Sequence, residues 1–243
     1  APRDRTLGPT RQSGGLRVGV LPQAPWAMLD KTGSWMGFDI EVAHKLADDL
    51  GVRVELQRVS WLTAADDVAA GAVDLVPGLW PGPRRALVVN FSPSYASVQV
   101  TLVAHRAKVA GLQALADYNR AEVQLGVLER GLSDEIAHER LPLASRVPFA
   151  DAAAQVQALQ EGRLHAIVSR TPAPEMLLRL DPQRFTTPLT EPLARRSEAF
   201  AVRRRDPDFL AYLDAWLRFQ AESGWIAQRR AYWFEGVDWQ NRL

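Results

Sequence analysis

Apolar residues fall into short blocks along the chain, and the spacing within each block predicts an element. Residues 16–21 form a compact apolar run that suits a strand. Beyond them, Ile40, Ala43, Leu46, Ala47 and Leu50 recur at helical spacing, with Asp39 as the predicted N-cap and Gly51 as the stop. Residues 52–59 alternate as a strand, residues 61–70 read as a helix ended by Gly71, and residues 73–79 are a turn-bounded apolar run fit for a buried strand. Strand, helix, strand, helix, strand in that order predicts an α/β domain with a mainly parallel sheet.

The alternation then restarts. Residues 98–104 read as a strand, 112–116 as a short helix and 123–128 as a strand. A helix through His138 is predicted with Ser133 as its cap, followed by a helix over 150–161, a strand over 164–169 and a helix from Pro172 through Arg179. Residues 198–202 return as a strand, 207–223 as an amphipathic helix, and 225–233 close the chain. Residues 1–15 are polar and rich in Gly and Pro, so a loose arm is expected there.

Composition narrows the function classes. A chain of 243 residues has room for two small domains, and 47% hydrophobic with 23% charged residues is ordinary for a globular protein. A net charge of +1 argues against nucleic acid as a partner. No cysteine is present, which leaves no disulfide framework and no thiolate chemistry. No apolar run reaches the roughly 18 residues of a membrane span. The start at Ala1, without an initiator Met or an apolar leader, is the one expected of a processed or trimmed chain. The four histidines lack metal-ligand spacing, and no GxSxG, P-loop or GxGxxG motif occurs, so no catalytic residue, metal or cofactor is assigned.

The chemistry concentrates in residues 71–95, GAVDLVPGLWPGPRRALVVNFSPSY. The predicted strand runs into Gly78, Pro81, Gly82 and Pro83, which predict an irregular loop, and Arg84 and Arg85 follow. A forked guanidinium suits bidentate capture of a carboxylate, and open α/β sheets bind ligands beyond the carboxyl ends of their strands. Read alone, Arg85 is better explained as a surface arginine paired with a nearby carboxylate.

The order Gly71, Asp74, an apolar run, Gly78, Pro83, Arg85-Ala86 and then Phe91, Ser92 and Tyr95 resembles the family-3 extracellular solute-binding proteins, the type-II periplasmic receptors for polar amino acids. Pro25-Trp26 and Gly37-Phe38-Asp39 fit the same first lobe. The resemblance implies a two-lobed α/β periplasmic-binding-protein-like fold, each lobe a mainly parallel sheet flanked by helices, with the ligand cleft between lobes. It places lobe 1 at residues 16–104 and 197–243 and lobe 2 at 105–196. It also implies that Arg85 clamps a ligand carboxylate while Trp26 and Trp61 supply ring walls and Gln23 a polar contact. Gly78 opens the loop, and Trp80 and Gly82 stand where the family carries ligand-binding threonines.

In the second lobe, Glu129, Arg130 and Ser133 occupy the turn after a strand that touches ligand in relatives. Ser169-Arg170 closes the strand where the family carries an amine-binding Asp. A cation there repels an ammonium and favours a second anionic group. Taken singly, each tryptophan also reads as core and Arg170 as an outward charge.

The implied function is a periplasmic receptor of an ABC importer, a monomer that captures a small carboxylate-bearing solute by hinge closure and delivers it to an inner-membrane permease. The alternatives are a ligand-sensing domain and a cyclohexadienyl dehydratase-like enzyme, for which Glu129 is the candidate general acid.

Overall fold

The structure, a computed structural model, describes residues 5–243. In chain order the elements are α1 (Leu7–Ser13), β1 (Gly15–Val20), β2 (Met28–Leu29), β3 (Trp35–Met36), α2 (Phe38–Leu50), β4 (Arg53–Arg58), α3 (Ala64–Ala70), β5 (Leu75–Leu79), α4 (Pro83–Ala86), β6 (Val89–Phe91) and β7 (Ala96–His105). They continue through α5 (Leu115–Tyr118), β8 (Gln124–Leu128), α6 (Leu132–Arg140), β9 (Ser145–Phe149), α7 (Ala152–Gln160), β10 (Ala166–Arg170), α8 (Ala173–Leu180), β11 (Phe185–Thr186), β12 (Ala194–Arg203), α9 (Pro207–Glu222) and α10 (Trp225–Arg230). The mixed α/β class with mainly parallel sheets is the one the spacing predicts.

The chain divides into two compact units, one running to Ser97 and resuming at Ser197–Leu243, the other Val98–Arg196. In the first unit β4, β1 and β5 run parallel, β12 pairs antiparallel with β5, and β6 adds to β12. β1 and β4 hold one register from Gly15↔Arg53 to Val20↔Arg58. Every residue of β5 is buried, as an apolar run in a parallel sheet requires. One core cluster joins Val59, Val68, Val76, Leu79 and Val89, and a second joins Val20, Ala27 and Ile40. In the second unit β9, β8 and β10 run parallel, and β7 pairs antiparallel with β10 and with β11. Its core gathers Val103, Leu159, Leu164, Ile167 and Phe185.

Several expectations are corrected. Residues 7–13 of the expected loose arm are helical, with Gly14 closing α1 at a left-handed φ of 76°; residues 1–4 lie outside the described residues. Thr6 and Thr10 are buried, and the Thr6 hydroxyl donates to Asp206, so the segment is tied to the start of α9. The loop after β5 contains the helical turn α4, with Pro83 at a first-turn position where its missing N–H costs nothing. Gly37, and not Asp39, caps α2, because the N–H groups of Phe38 and Asp39 donate to the carbonyls of Pro25 and Trp26. Gly131, and not Ser133, caps α6. Residues 100–104 of β7 pair with β10, within the second unit.

Candidate functional site

In the first unit, the end of β5 carries the residues singled out from the sequence. Gly78 has a φ of 83°, a region open to glycine, and a Cβ there would lie 2.5 Å from Asp39 Oδ2 and 3.4 Å from Glu198 Oε2. This glycine therefore lets β5 pass two buried carboxylates. Asp39 and Glu198 are 5% and 0% exposed, and the Tyr95 hydroxyl donates to Asp39 Oδ1 at 2.9 Å. Burial, and then the neighbouring Asp39 and Glu198 charges, hold the Tyr95 hydroxyl well above its ordinary ionisation range. Ser92 completes the bracing: its hydroxyl accepts the Phe200 N–H at 2.9 Å and donates to the Pro93 carbonyl at 2.8 Å. The Ser92…Tyr95 signature thus fastens β12 beneath the loop.

Past Leu79 the chain presents Trp80 and then α4. Trp80 is 3% exposed and Trp61, just ahead of α3, is half-buried; their ring centroids are 3.7 Å apart. The Arg85 guanidinium carbon lies 4.3 Å from the Trp61 centroid and 5.0 Å from that of Trp80. Arg85 is half-exposed, whereas Arg84 is exposed. Gly82 precedes the α4 turn, and a Cβ there would meet Arg85 Nη1 at 3.6 Å, an ordinary contact. Stacking uses the face of the guanidinium, while its N–H donors lie in the plane and point along its edges. The structure brings Trp61, Trp80, Gly82 and Arg85 together.

Trp26 does not join them as a ring wall. It is fully buried, with edge-on contacts to Phe38 (5.7 Å) and Phe234 (4.6 Å). A Cβ on Gly37 would collide with the Trp26 carbonyl oxygen, so the backbone here passes close beside this residue. Gln23 is half-exposed and exchanges backbone hydrogen bonds with Ala27, both at 2.8 Å.

In the second unit, the turn after β8 holds Glu129 and Arg130, both exposed, with Arg130 at a left-handed φ of 55°. Ser133 is 7% exposed, and its hydroxyl accepts the Leu128 N–H at 2.7 Å, a bond that closes the β8–α6 turn. Arg170 ends β10 opposite Val100 and is 8% exposed, so the outward-charge reading does not hold. Ser169 is half-buried beside it. His165, at the other end of this strand, has its pKa lowered by burial and by Lys108. Among the described residues no group of His, Cys, Asp and Glu is arranged to hold a metal, and no helix is long and apolar enough to cross a membrane.

The buried Asp39–Tyr95–Glu198 group escaped the sequence reading. Its signal was the Gly-Phe-Asp and Ser-x-x-Tyr spacing, which fitted a family pattern without disclosing that the two segments meet.

Residues 16–236 match the model of the bacterial extracellular solute-binding proteins, family 3. The chain is 25% identical to a cyclohexadienyl dehydratase of Pseudomonas aeruginosa, across 92% of this chain and 84% of that protein. An ancestral amino acid-binding protein, described as a precursor of cyclohexadienyl dehydratase, superposes with a TM-score of 0.81 at 27% identity, over 94% of this chain and 98% of that one. A binding component of an ABC transporter from Wolinella succinogenes, complexed with lysine, gives a TM-score of 0.85 at 25% identity, over 94% and 99%.

Proposed function

Since the chain belongs to the family-3 bacterial extracellular solute-binding proteins, with a two-lobed binding-protein fold, we propose that it is the receptor of an ABC importer for a small carboxylate-bearing solute. The observation that carries this reading is the Arg85 guanidinium carbon lying 4.3 Å from the Trp61 ring centroid and 5.0 Å from that of Trp80, at the end of β5. The rings hold the guanidinium in place in advance, so a carboxylate would meet it with less ordering to be done on binding. The half-buried Trp61 ring beside it suits a ligand with a flat or apolar body, with the buried Trp80 behind it.

Arg170 sets the ligand class in this reading. A buried cation at the end of β10 disfavours an ammonium and favours a second anionic or neutral polar group, so an organic acid or an N-modified amino acid fits as well as an ordinary one. Glu129 and Arg130, Gln23, Gly78, Gly82 and Ser169 would furnish further contacts. Ser133, whose hydroxyl accepts the Leu128 N–H, would offer its own O–H to the ligand. Trp26 would support the site only through the core. Capture by hinge closure, a monomeric chain, a periplasmic location and delivery to a membrane permease belong to the same proposal.

A thermal-shift screen of amino acids, betaines, dicarboxylates and aromatic acids tests it, because a solute that binds only the folded chain raises Tm by mass action. Stabilisation by a carboxylate-bearing solute is the expected result; a response to none of the panel would count against the receptor. The similarity to a cyclohexadienyl dehydratase favours one second reading, an enzyme with the exposed Glu129 as general acid. Incubation of a cyclohexadienyl acid with the protein, followed for an aromatic product, separates the two: turnover lost in Glu129→Gln establishes the enzyme, and unchanged substrate retains the receptor.

A further inference from the structure

β12 ends at Arg203, Arg204 and Arg205 follow it directly, and the chain leaves them through a left-handed φ of 60° at Arg205. With Arg5, Ala69 and Val88 they line a cavity of about 280 Å³ in the first unit. That volume lies just under the ~300–1,000 Å³ usual for small-molecule sites, so its occupant is compact. None of the residues proposed for the solute site lines it.

The arginines are held in place by groups that leave their charge largely uncompensated. Arg203 Nη2 donates to the Arg5 carbonyl at 2.9 Å, and Arg204 Nη1 donates to the Leu87 carbonyl at 2.6 Å. Both acceptors are neutral. Asp74 lies 3.7 Å from Arg203, but it already receives Arg17 through two guanidinium bonds, at 2.9 and 3.3 Å, and one backbone bond at 2.8 Å. Asp206 is buried and receives the Thr6 hydroxyl together with the N–H groups of Arg5 and Phe209. Among the described residues neither Arg204 nor Arg205 has a carboxylate partner. The Nε of Arg203 is buried without an acceptor, a costly condition that a bound oxyanion would relieve.

We propose that this cavity binds a phosphate group. Several planar guanidinium forks around a small space match a tetrahedral, multiply charged oxyanion, whose oxygens accept paired N–H bonds. The group is either free inorganic phosphate or the phosphate of an anionic lipid headgroup, both recognised by the same chemistry.

The test titrates inorganic phosphate into the full chain by calorimetry, and in parallel sediments the protein with phosphatidylglycerol vesicles, with phosphatidylcholine vesicles as control. Binding in either arm is expected to weaken at least tenfold in Arg204→Gln/Arg205→Asn, where Asn keeps the left-handed backbone accessible. Val88→Glu, which puts a carboxylate on an exposed wall of the cavity, is expected to do the same without touching an arginine. Arg85→Ala should leave phosphate affinity unchanged, so this site stands or falls independently of the solute site. Saturable phosphate binding assigns a free ion, and vesicle binding alone assigns a headgroup. Binding in neither arm, or binding that both variants retain, overturns the proposal.

Discussion

Two tryptophan groups in the same unit are packed differently: one ring is wholly enclosed, and the other group sets a buried ring and a half-buried one beneath an arginine. Trp26 is enclosed by Phe38 and Phe234, with no part of it exposed, and its contacts bring the returning C-terminal segment against the start of α2. Trp61 and Trp80 meet at a tilt of 41° at the end of β5, where the half-exposed Arg85 lies over both rings. In the first group the apolar area removed from water stabilises the fold. In the second, the rings orient a cation, and their contribution should appear in binding more than in folding.

The largest effect should come from the enclosed group. Trp26→Ala should cost about 3–5 kcal/mol of stability, read from denaturant midpoints, because the surrounding rings cannot collapse into the space. A loss below ~1 kcal/mol would mean that the two groups do not differ as described.

Tyr95, which packs 6.3 Å from Phe38 and reaches Asp39, sharpens the contrast by pH. Tyr95→Phe removes the donor to a buried carboxylate and should cost roughly 1–3 kcal/mol near neutrality. The folded state raises the tyrosine pKa above its ordinary 10.0, so it favours the neutral hydroxyl. That stability is complete below about pH 10 and is lost as pH rises toward the folded pKa. The gap between wild type and Tyr95→Phe should therefore narrow above about pH 10 in alkaline melts; a constant gap would contradict the buried-hydroxyl account.

The smallest effect on folding belongs to the stacked pair. Trp61→Leu should change stability by less than ~1 kcal/mol yet weaken solute binding about tenfold, since stacking contributes of order 1 kcal/mol and orients Arg85 as well. Calorimetry alongside thermal melts reads both quantities. A large stability loss with unchanged affinity would return Trp61 to the core.

Periodicity made the repeating elements legible. The apolar spacing of α2 and the uninterrupted run of β5 are local properties that burial then enforces. β9 was missed because Pro148 and a polar start disguise an edge strand, and an edge tolerates proline where a central strand does not. α1 was missed because what holds it, the Thr6–Asp206 bond, joins residues 200 apart. The same limit applied at the candidate site. Family positions pointed to Trp26 and Trp61 alike, and only packing separates a ring walled in by Phe38 and Phe234 from one that supports Arg85. Asp39 read naturally as a cap; its engagement by Tyr95 depends on the path of β5 past Gly78.

The central claim, that Arg85 on its tryptophan platform holds the solute carboxylate, is tested most directly by repeating the thermal-shift screen on wild type and Arg85→Ala. The account predicts that the ligand-free Tm moves little, since an exposed cation–π contact contributes about 0.5–1 kcal/mol, while the ligand-induced rise disappears. A variant that keeps the full rise with the same carboxylate-bearing solute would contradict it.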